Sequence, residues 1–215
     1  MNVLGRAYEQ IRHRFYTAYC EHKFGVSTTG FIEPRDLGIE SPDSMAHSPL
    51  GYEYIFWALR AIPVPAADVV FLDYGSGKGR VLVAAATFPF RKVLGVEISE
   101  QLVAAARGNL AHMKHRRAAH VAVHHSDAAR FPVPDDVNVI FFFNPFAGQT
   151  LTDVVERIER SIRACPRDLL IIFFNHGEFD KCVQGLSWLR KVHEASFCGL
   201  YRANADSGAQ LLASF

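Results

Sequence analysis

Cysteine is scarce in this chain and falls into no pattern. Cys20, Cys165, Cys182 and Cys198 form no Cys-x-x-Cys pair and stand at no usual zinc-ligand spacing from a histidine, which argues against a structural metal module and suits idle thiols in a reducing compartment. An excess of charge of one sign is also missing. Lysine and arginine total 23 against 22 aspartates and glutamates, a formal net charge of +1. That balance excludes a polyanion binder driven by global charge and leaves a nucleic-acid partner unsupported. A long apolar N-terminal run is lacking too, because Arg6, Glu9, Arg12, His13 and Arg14 interrupt Met1 to Cys20. The stretch therefore reads neither as a secretion signal nor as a membrane span, and the expected location is the cytoplasm, with no membrane partner. Internal repeats and low-complexity tracts are absent, and the sequence is silent on oligomeric state.

What remains is a chain of 215 residues, 49% hydrophobic and 21% charged, enough for one α/β domain with a short extension. From Tyr8 to Cys20 the residues Ile11, Phe15, Ala18 and Tyr19 recur at helical spacing, predicting an amphipathic helix that ends before Gly25. Gly25 to Pro49 is rich in Gly, Pro, Ser, Asp and Thr without a sustained period, so it is expected as an ordered loop or lid. Residues 1–50 thus form an N-terminal helix and lid-like extension, and residues 51–215 the main domain. Tyr52 to Ile62 reads as a helix. Val69–Tyr74, Lys92–Glu97, Val121–His124, Val139–Phe143 and Leu169–Phe174 are short apolar runs, each followed by helix-like sequence. The alternation predicts a doubly wound, mostly parallel sheet. Trp188–Tyr201 and Gln210–Phe215, separated by the turn-rich Asn204-Ala205-Asp206-Ser207-Gly208, read as a C-terminal antiparallel hairpin.

The strand Val69–Asp73 runs into Gly75-Ser76-Gly77-Lys78-Gly79, and Arg80 to Thr87 is helical in composition. Glycines in such a turn permit positive φ and close approach of a ligand near a helix N-terminus. Spacing separates the ligand classes that use it. A P-loop needs Gly-x-x-x-x-Gly-Lys-Ser/Thr, but Gly79 follows Lys78 and Leu72 occupies the early glycine position. A dinucleotide fingerprint needs glycine where this chain has Arg80. What the chain does have is an acidic residue, Asp73, one spacer, and then Gly-x-Gly-x-Gly. Glu97, at the tip of Lys92–Glu97, adds a carboxylate suited to accept both ribose hydroxyls of an adenosine.

This pattern resembles motif I of the class I methyltransferases that use S-adenosylmethionine. The resemblance implies a seven-stranded Rossmann-like methyltransferase sheet and a donor site drawn from Asp73, Gly75, Ser76, Gly77, Gly79, Glu97 and Ile98, leaving S-adenosylhomocysteine as product. His125-Ser126-Asp127-Ala128-Ala129 resembles the family's adenine-contacting segment, which adds Asp127 and Ala128. After the next strand, Asn144-Pro145-Phe146-Ala147-Gly148 is similar to the Asn/Asp-Pro-Pro-Tyr/Phe motif of nitrogen-directed methyltransferases, shortened by one proline. It also resembles the Asn-Asn-Phe/Tyr-Ala-Phe-Gly stretch of the non-SET histone lysine methyltransferases. Nearest are unassigned bacterial methyltransferases carrying Asp-x-Gly-Ser-Gly-Lys-Gly-Arg and Asn-Pro-Phe.

At a strand tip, Asn144 is placed to contact donor and acceptor, with Pro145 and Phe146 completing the catalytic segment and Phe146 offering an aromatic wall. Tyr52 and His176 complete the expected acceptor side, and no metal is needed. The expected activity is methyl transfer to a nitrogen of a protein side chain or small molecule. Two alternatives are a nicotinamide-dependent oxidoreductase and a non-catalytic protein that binds an adenosyl ligand.

Overall fold

The computed structural model describes residues 3–195 and 197–203, with side chains from residue 11 onward. Helix α1 (Val3–Phe24) leads through an irregular segment, which carries a short 3-10 turn at Pro34–Leu37, into α2 (Tyr52–Arg60). Then follow β1 (Val70–Tyr74), α3 (Arg80–Ala86), β2 (Lys92–Glu97), α4 (Glu100–His112), β3 (His120–His125) and β4 (Val139–Phe143). The chain continues through α5 (Gly148–Ala164), β5 (Leu169–Phe174), α6 (Gly177–Val183), β6 (Leu189–Ala195) and β7 (Cys198–Ala203). The seven strands form one sheet in the order β3-β2-β1-β4-β5-β7-β6. Pairs from β3 to β5 are parallel, and β7 is antiparallel to both neighbours. This is the expected Rossmann-like sheet.

Strand alternation distributes the core between two layers. Phe71, Val93, Phe141 and Ile172 face a cluster with Tyr52, Ile55, Leu82, Ala85 and Val103 from α2, α3 and α4. Leu72, Tyr74, Ile140, Phe142 and Ile171 face one with Leu151, Val154, Val155 and Ile158 from α5. The α5 residues fall at i, i+3, i+4 and i+7, a stripe wide enough to seat the helix on the sheet. The chain winds outward from β1 through β2 to β3, then returns to β4 on the other side of β1. That reversal opens a crevice at the carboxyl ends of β1 and β4, where ligands of open α/β sheets bind.

Two expectations are corrected. The connection from β3 to β4 holds no helix. Pro132 and Pro134 remove backbone donors there, and the Asp127 carboxylate accepts the Ala129 N–H at 2.9 Å, favouring a local turn. The hairpin is also misplaced by the sequence reading: Trp188–Tyr201 is not one strand but most of the hairpin, reversing between Ala195 and Cys198. Gln210–Phe215 lies outside the described residues.

Two of the attachments that hold the N-terminal segment to the body centre on Arg80 and Asp43. Arg80, at the start of α3, donates from Nε to Thr28 Oγ1 at 2.7 Å and from Nη1 to the Leu50 carbonyl at 3.1 Å. Its Nη2 reaches Glu21 Oε1 on α1 at 3.4 Å, and its guanidinium stacks over Tyr52 at 5.0 Å. Glu21 also accepts the Thr28 N–H and hydroxyl. The second fastening is Asp43, whose Oδ2 accepts the Thr150 N–H at 2.9 Å and hydroxyl at 3.0 Å in the first turn of α5. Helix α5 has no cap of its own, because Ala147 stands at its N-cap. Asp43 supplies the missing acceptor and a favourable negative charge. Gly148 makes the approach possible, since a β-carbon there would lie 2.4 Å from Asp43 Oδ1.

Arg80 is buried and its partner Glu21 nearly so, so removing the guanidinium strands a carboxylate. Arg80→Ala is expected to lower unfolding free energy by about 2–4 kcal/mol, read as a shifted urea midpoint at constant m-value.

Candidate functional site

The crevice at the strand tips is a cavity of about 490 Å³, within the size range of small-ligand sites. Asp73, Gly75, Ser76 and Gly77 line it from the β1 tip, and Glu97 and Ile98 from the β2 tip. Ser126, Asp127 and Ala128 follow β3, and Asn144, Pro145 and Phe146 follow β4. The irregular segment roofs it with Leu37, Ile39, Met45 and His47 among others. Two antiparallel bridges, Ile32 with His47 and Ser44 with Phe146, stitch that roof to itself and to the loop after β4.

The glycine turn is held from inside. Gly75 and Ser76 donate their N–H groups to the Val96 carbonyl at 2.9 and 3.0 Å. The Gly77 N–H donates to Glu97 Oε2 at 2.9 Å, and the Gly79 N–H to the Ser76 carbonyl at 2.8 Å. Four of the turn's amides are therefore spent within the protein, and the turn is not a nest for phosphate, which needs such amides free. Gly75 has φ of +72°, and a β-carbon on it would meet Pro145 Cβ at 2.4 Å. Its bareness lets the loop after β4 close on the turn. Gly79 belongs to packing instead: it starts α3 with φ of +85°, and a β-carbon would lie 3.1 Å from Ala106 Cβ of α4.

Two carboxylates sit buried beside this turn. Glu97 Oε1 accepts the Ser99 N–H at 3.0 Å while Oε2 holds Gly77. Each oxygen keeps a lone pair for a ligand hydroxyl. Burial pushes the Glu97 pKa up against these backbone hydrogen bonds. Asp73, 2% exposed, has its pKa raised well above the usual carboxylate range by burial and then by the nearby Glu97. Asp73 Oδ2, Ser76 Oγ and His47 Nε2 are buried without a hydrogen-bond partner. Buried polar atoms rarely stay unpaired, and these three fit a polar ligand, whose positive charge Asp73 would favour.

At the tips of the paired strands β4 and β5, Asn144 and Asn175 both adopt left-handed backbone, with φ of +42° and +56°. Asparagine tolerates that conformation better than most residues, and both line the cavity. Asn175 escaped the sequence reading, although an asparagine directly after a strand is the signal for it. Asp43, His47 and Arg80 as an anchor were also missed, because their partners are remote in sequence.

Tyr52 and His176 are not brought to the cavity wall. The Tyr52 ring is fully buried in the α2 layer under Arg80. His176 turns its Nδ1 to Asp180 Oδ2 at 2.7 Å, in a network with Lys191 and Tyr201 that binds α6 to the hairpin. Among the described residues no group of three potential metal ligands converges, and no helix is long and apolar enough to cross a membrane.

Residues 71–165 match the profile of a methyltransferase domain family. No curated protein sequence matches the chain. Among solved structures, the chain is similar to an RNA methyltransferase from Salinibacter ruber in complex with S-adenosylhomocysteine (TM-score 0.50, 19% identity, 78% of this chain and 99% of that one). It is similar as well to a ribosomal protein L11 methylase from Lactobacillus delbrueckii subsp. bulgaricus (TM-score 0.50, 19% identity, 71% and 78%). A third is precorrin 8W decarboxylase from Methanobacterium thermoautotrophicum (TM-score 0.53, 15% identity, 77% and 96%). At these identities the likeness establishes the fold.

Because the folded pKa of Asp73 lies above its unfolded value, its ionisation costs stability as pH rises through the folded pKa. Asp73→Asn is therefore expected to raise the ligand-free melting temperature near neutral pH. The gap should close below the usual carboxylate range, where the wild-type side chain is protonated. Calorimetric melting at several pH values reads both effects.

Proposed function

We propose that this protein transfers a methyl group from S-adenosylmethionine to a nitrogen of a small molecule or protein side chain. The observation that carries the reading is the pairing of two buried carboxylates with a glycine turn whose amides are already engaged. Such a site repels pyrophosphate and favours a cationic ligand with a diol, which argues against the nicotinamide alternative more strongly than Arg80 alone. Glu97 is assigned to the ribose hydroxyls through its free lone pairs, and Asp73 to the donor's ammonium group. Asp127, Ala128 and Ile98 are assigned to the adenine, and Gly75, Ser76 and Gly77 to the turn against which the donor packs. Residues 1–50 are in this reading an extension that completes the site of a domain formed by residues 51–215.

The bound donor supplies an electrophilic methyl on a sulfonium. The chain's part is to fix the acceptor lone pair in line with it and to exclude water. Asn144 is positioned to accept an N–H from the incoming amine, with Pro145 braced on Gly75 and Phe146 packed edge-on to Tyr74 and Phe142. Arg80 is the one lysine or arginine among the described cavity-lining residues, and it is paired with Glu21 and bonded to Thr28 and Leu50. The lack of a free cation supports an acceptor without phosphate and speaks against nucleic acid. The likeness of Asn144-Pro145-Phe146-Ala147-Gly148 to the non-SET histone lysine methyltransferases supports an amine acceptor. Asn144 also argues for an intact acceptor side, against the non-catalytic alternative.

Calorimetry with S-adenosylmethionine, S-adenosylhomocysteine and NAD tests the cofactor, and preference for NAD would end the proposal. Glu97→Ala is expected to weaken S-adenosylhomocysteine by about 1.5–3 kcal/mol, the worth of hydrogen bonds to a charged acceptor. Asn144→Ala should leave that affinity nearly intact while lowering incorporation of labelled methyl from cell-extract acceptors. A defect confined to donor binding would contradict its role.

A further inference from the structure

His47, in the roof, has no part in the reading above, yet it is one of the best-anchored residues of that segment. Its backbone pairs with Ile32 in both directions, donating at 2.9 Å and accepting at 3.1 Å. Its ring lies on Gly77, where a β-carbon would stand 2.5 Å from both Cε1 and Nδ1. A side chain at position 77 would push the roof off the turn. The imidazole lines the cavity, and its Nε2 is buried without a partner. Burial, then the nearby Lys78 and Arg80, push its pKa down to about 4, so the ring is neutral at physiological pH and carries one N–H.

The surroundings narrow what that N–H is for. A methyl donor of the proposed kind ends in an amino acid, which brings a carboxylate as well as an ammonium group. Asp73 and Glu97 suit the ammonium and repel the carboxylate. The amides of Gly75, Ser76, Gly77 and Gly79 are spent, and Arg80 is directed away to Thr28, Leu50 and Glu21 by a bond from each of its three nitrogens. Lys78 Nζ donates to the Thr29 carbonyl at 2.8 Å. Other side-chain donors such as Ser126, Asn144 and Asn175 line the cavity, but those at the glycine turn itself are the hydroxyl of Ser76 and, directly over Gly77, the imidazole of His47 in the positive field of two cations.

We propose that His47 is the roof's contact with the amino-acid end of the methyl donor, its Nε2–H donating to the donor's carboxylate. This rests on the cofactor reading and adds a specificity-determining residue to it. Donor binding then adds a hydrogen bond from the roof to the ligand lying against the glycine turn.

The test compares S-adenosylhomocysteine with 5′-methylthioadenosine, which keeps the nucleoside and thioether but lacks the amino-acid end. Titration calorimetry is run on the wild type, His47→Ala and His47→Gln, each checked for an unchanged melting temperature. His47→Ala is expected to weaken S-adenosylhomocysteine about tenfold or more, the worth of a charge-assisted hydrogen bond, and methylthioadenosine by less than about twofold. His47→Gln, which retains an N–H donor, should recover part of the loss. Equal weakening of both ligands, or none for S-adenosylhomocysteine, overturns the proposal. Wild-type protein that binds neither ligand overturns the cofactor reading itself, and this inference with it; that outcome is seen before any variant is made.

Discussion

The site depends on the bond between the Gly77 amide and the Glu97 carboxylate, which ties the tip of β2 to the turn after β1. It fixes the shape of the turn without help from a ligand, and it turns a generic phosphate cradle into a scaffold for something else. With its partial positive charges neutralised internally, the turn presents shape, while the charge of the crevice is set by Asp73 and Glu97. Desolvation of both makes the crevice receptive to cations, at a cost in stability. Such a trade is common where a protein keeps polar groups ready for a partner.

The roof is the second determinant. An irregular segment of this length is usually a liability unless its backbone finds partners. Here the partners are explicit: the Arg80 cluster at one end, the bridge between Ile32 and His47 in the middle, and the attachment of Asp43 to α5. Arg80 thus has a positive role where a dinucleotide-binding turn would carry glycine, because its long side chain reaches over α3 to gather α1, Thr28 and Leu50.

Much of this was legible in the sequence. The apolar runs that became β1, β2, β4 and β5 announced themselves because strands covered on both faces need no polar alternation, while the run of β3 was short because that strand is a mostly exposed edge. The glycine turn and Glu97 were legible because their chemistry is local to strand ends. The C-terminal antiparallel hairpin was legible but its bounds were not, for a physical reason: Asn204 to Gly208 carries strong turn chemistry, whereas the true reversal, between Ala195 and Cys198, contains neither glycine nor proline. Proline and a self-capping aspartate likewise replaced the expected helix after β3. Asp43 and His47 were illegible because each acts on a residue far along the chain, and periodicity carries no trace of such pairings. Tyr52 and His176 lay at plausible sequence distances from the site, yet one was drawn into the apolar layer and the other into an ion network.

The attachment of Asp43 carries a mechanical meaning for traffic through the crevice. The same carboxylate holds the roof down and completes the first turn of α5, directly after the loop bearing Asn144 and Phe146. Lifting that part of the roof forfeits a helix cap, worth on the order of 1 kcal/mol, and frees the start of the wall opposite. Access to the crevice and the order of its far wall are thereby geared together, so that the doorway does not swing without loosening its own frame.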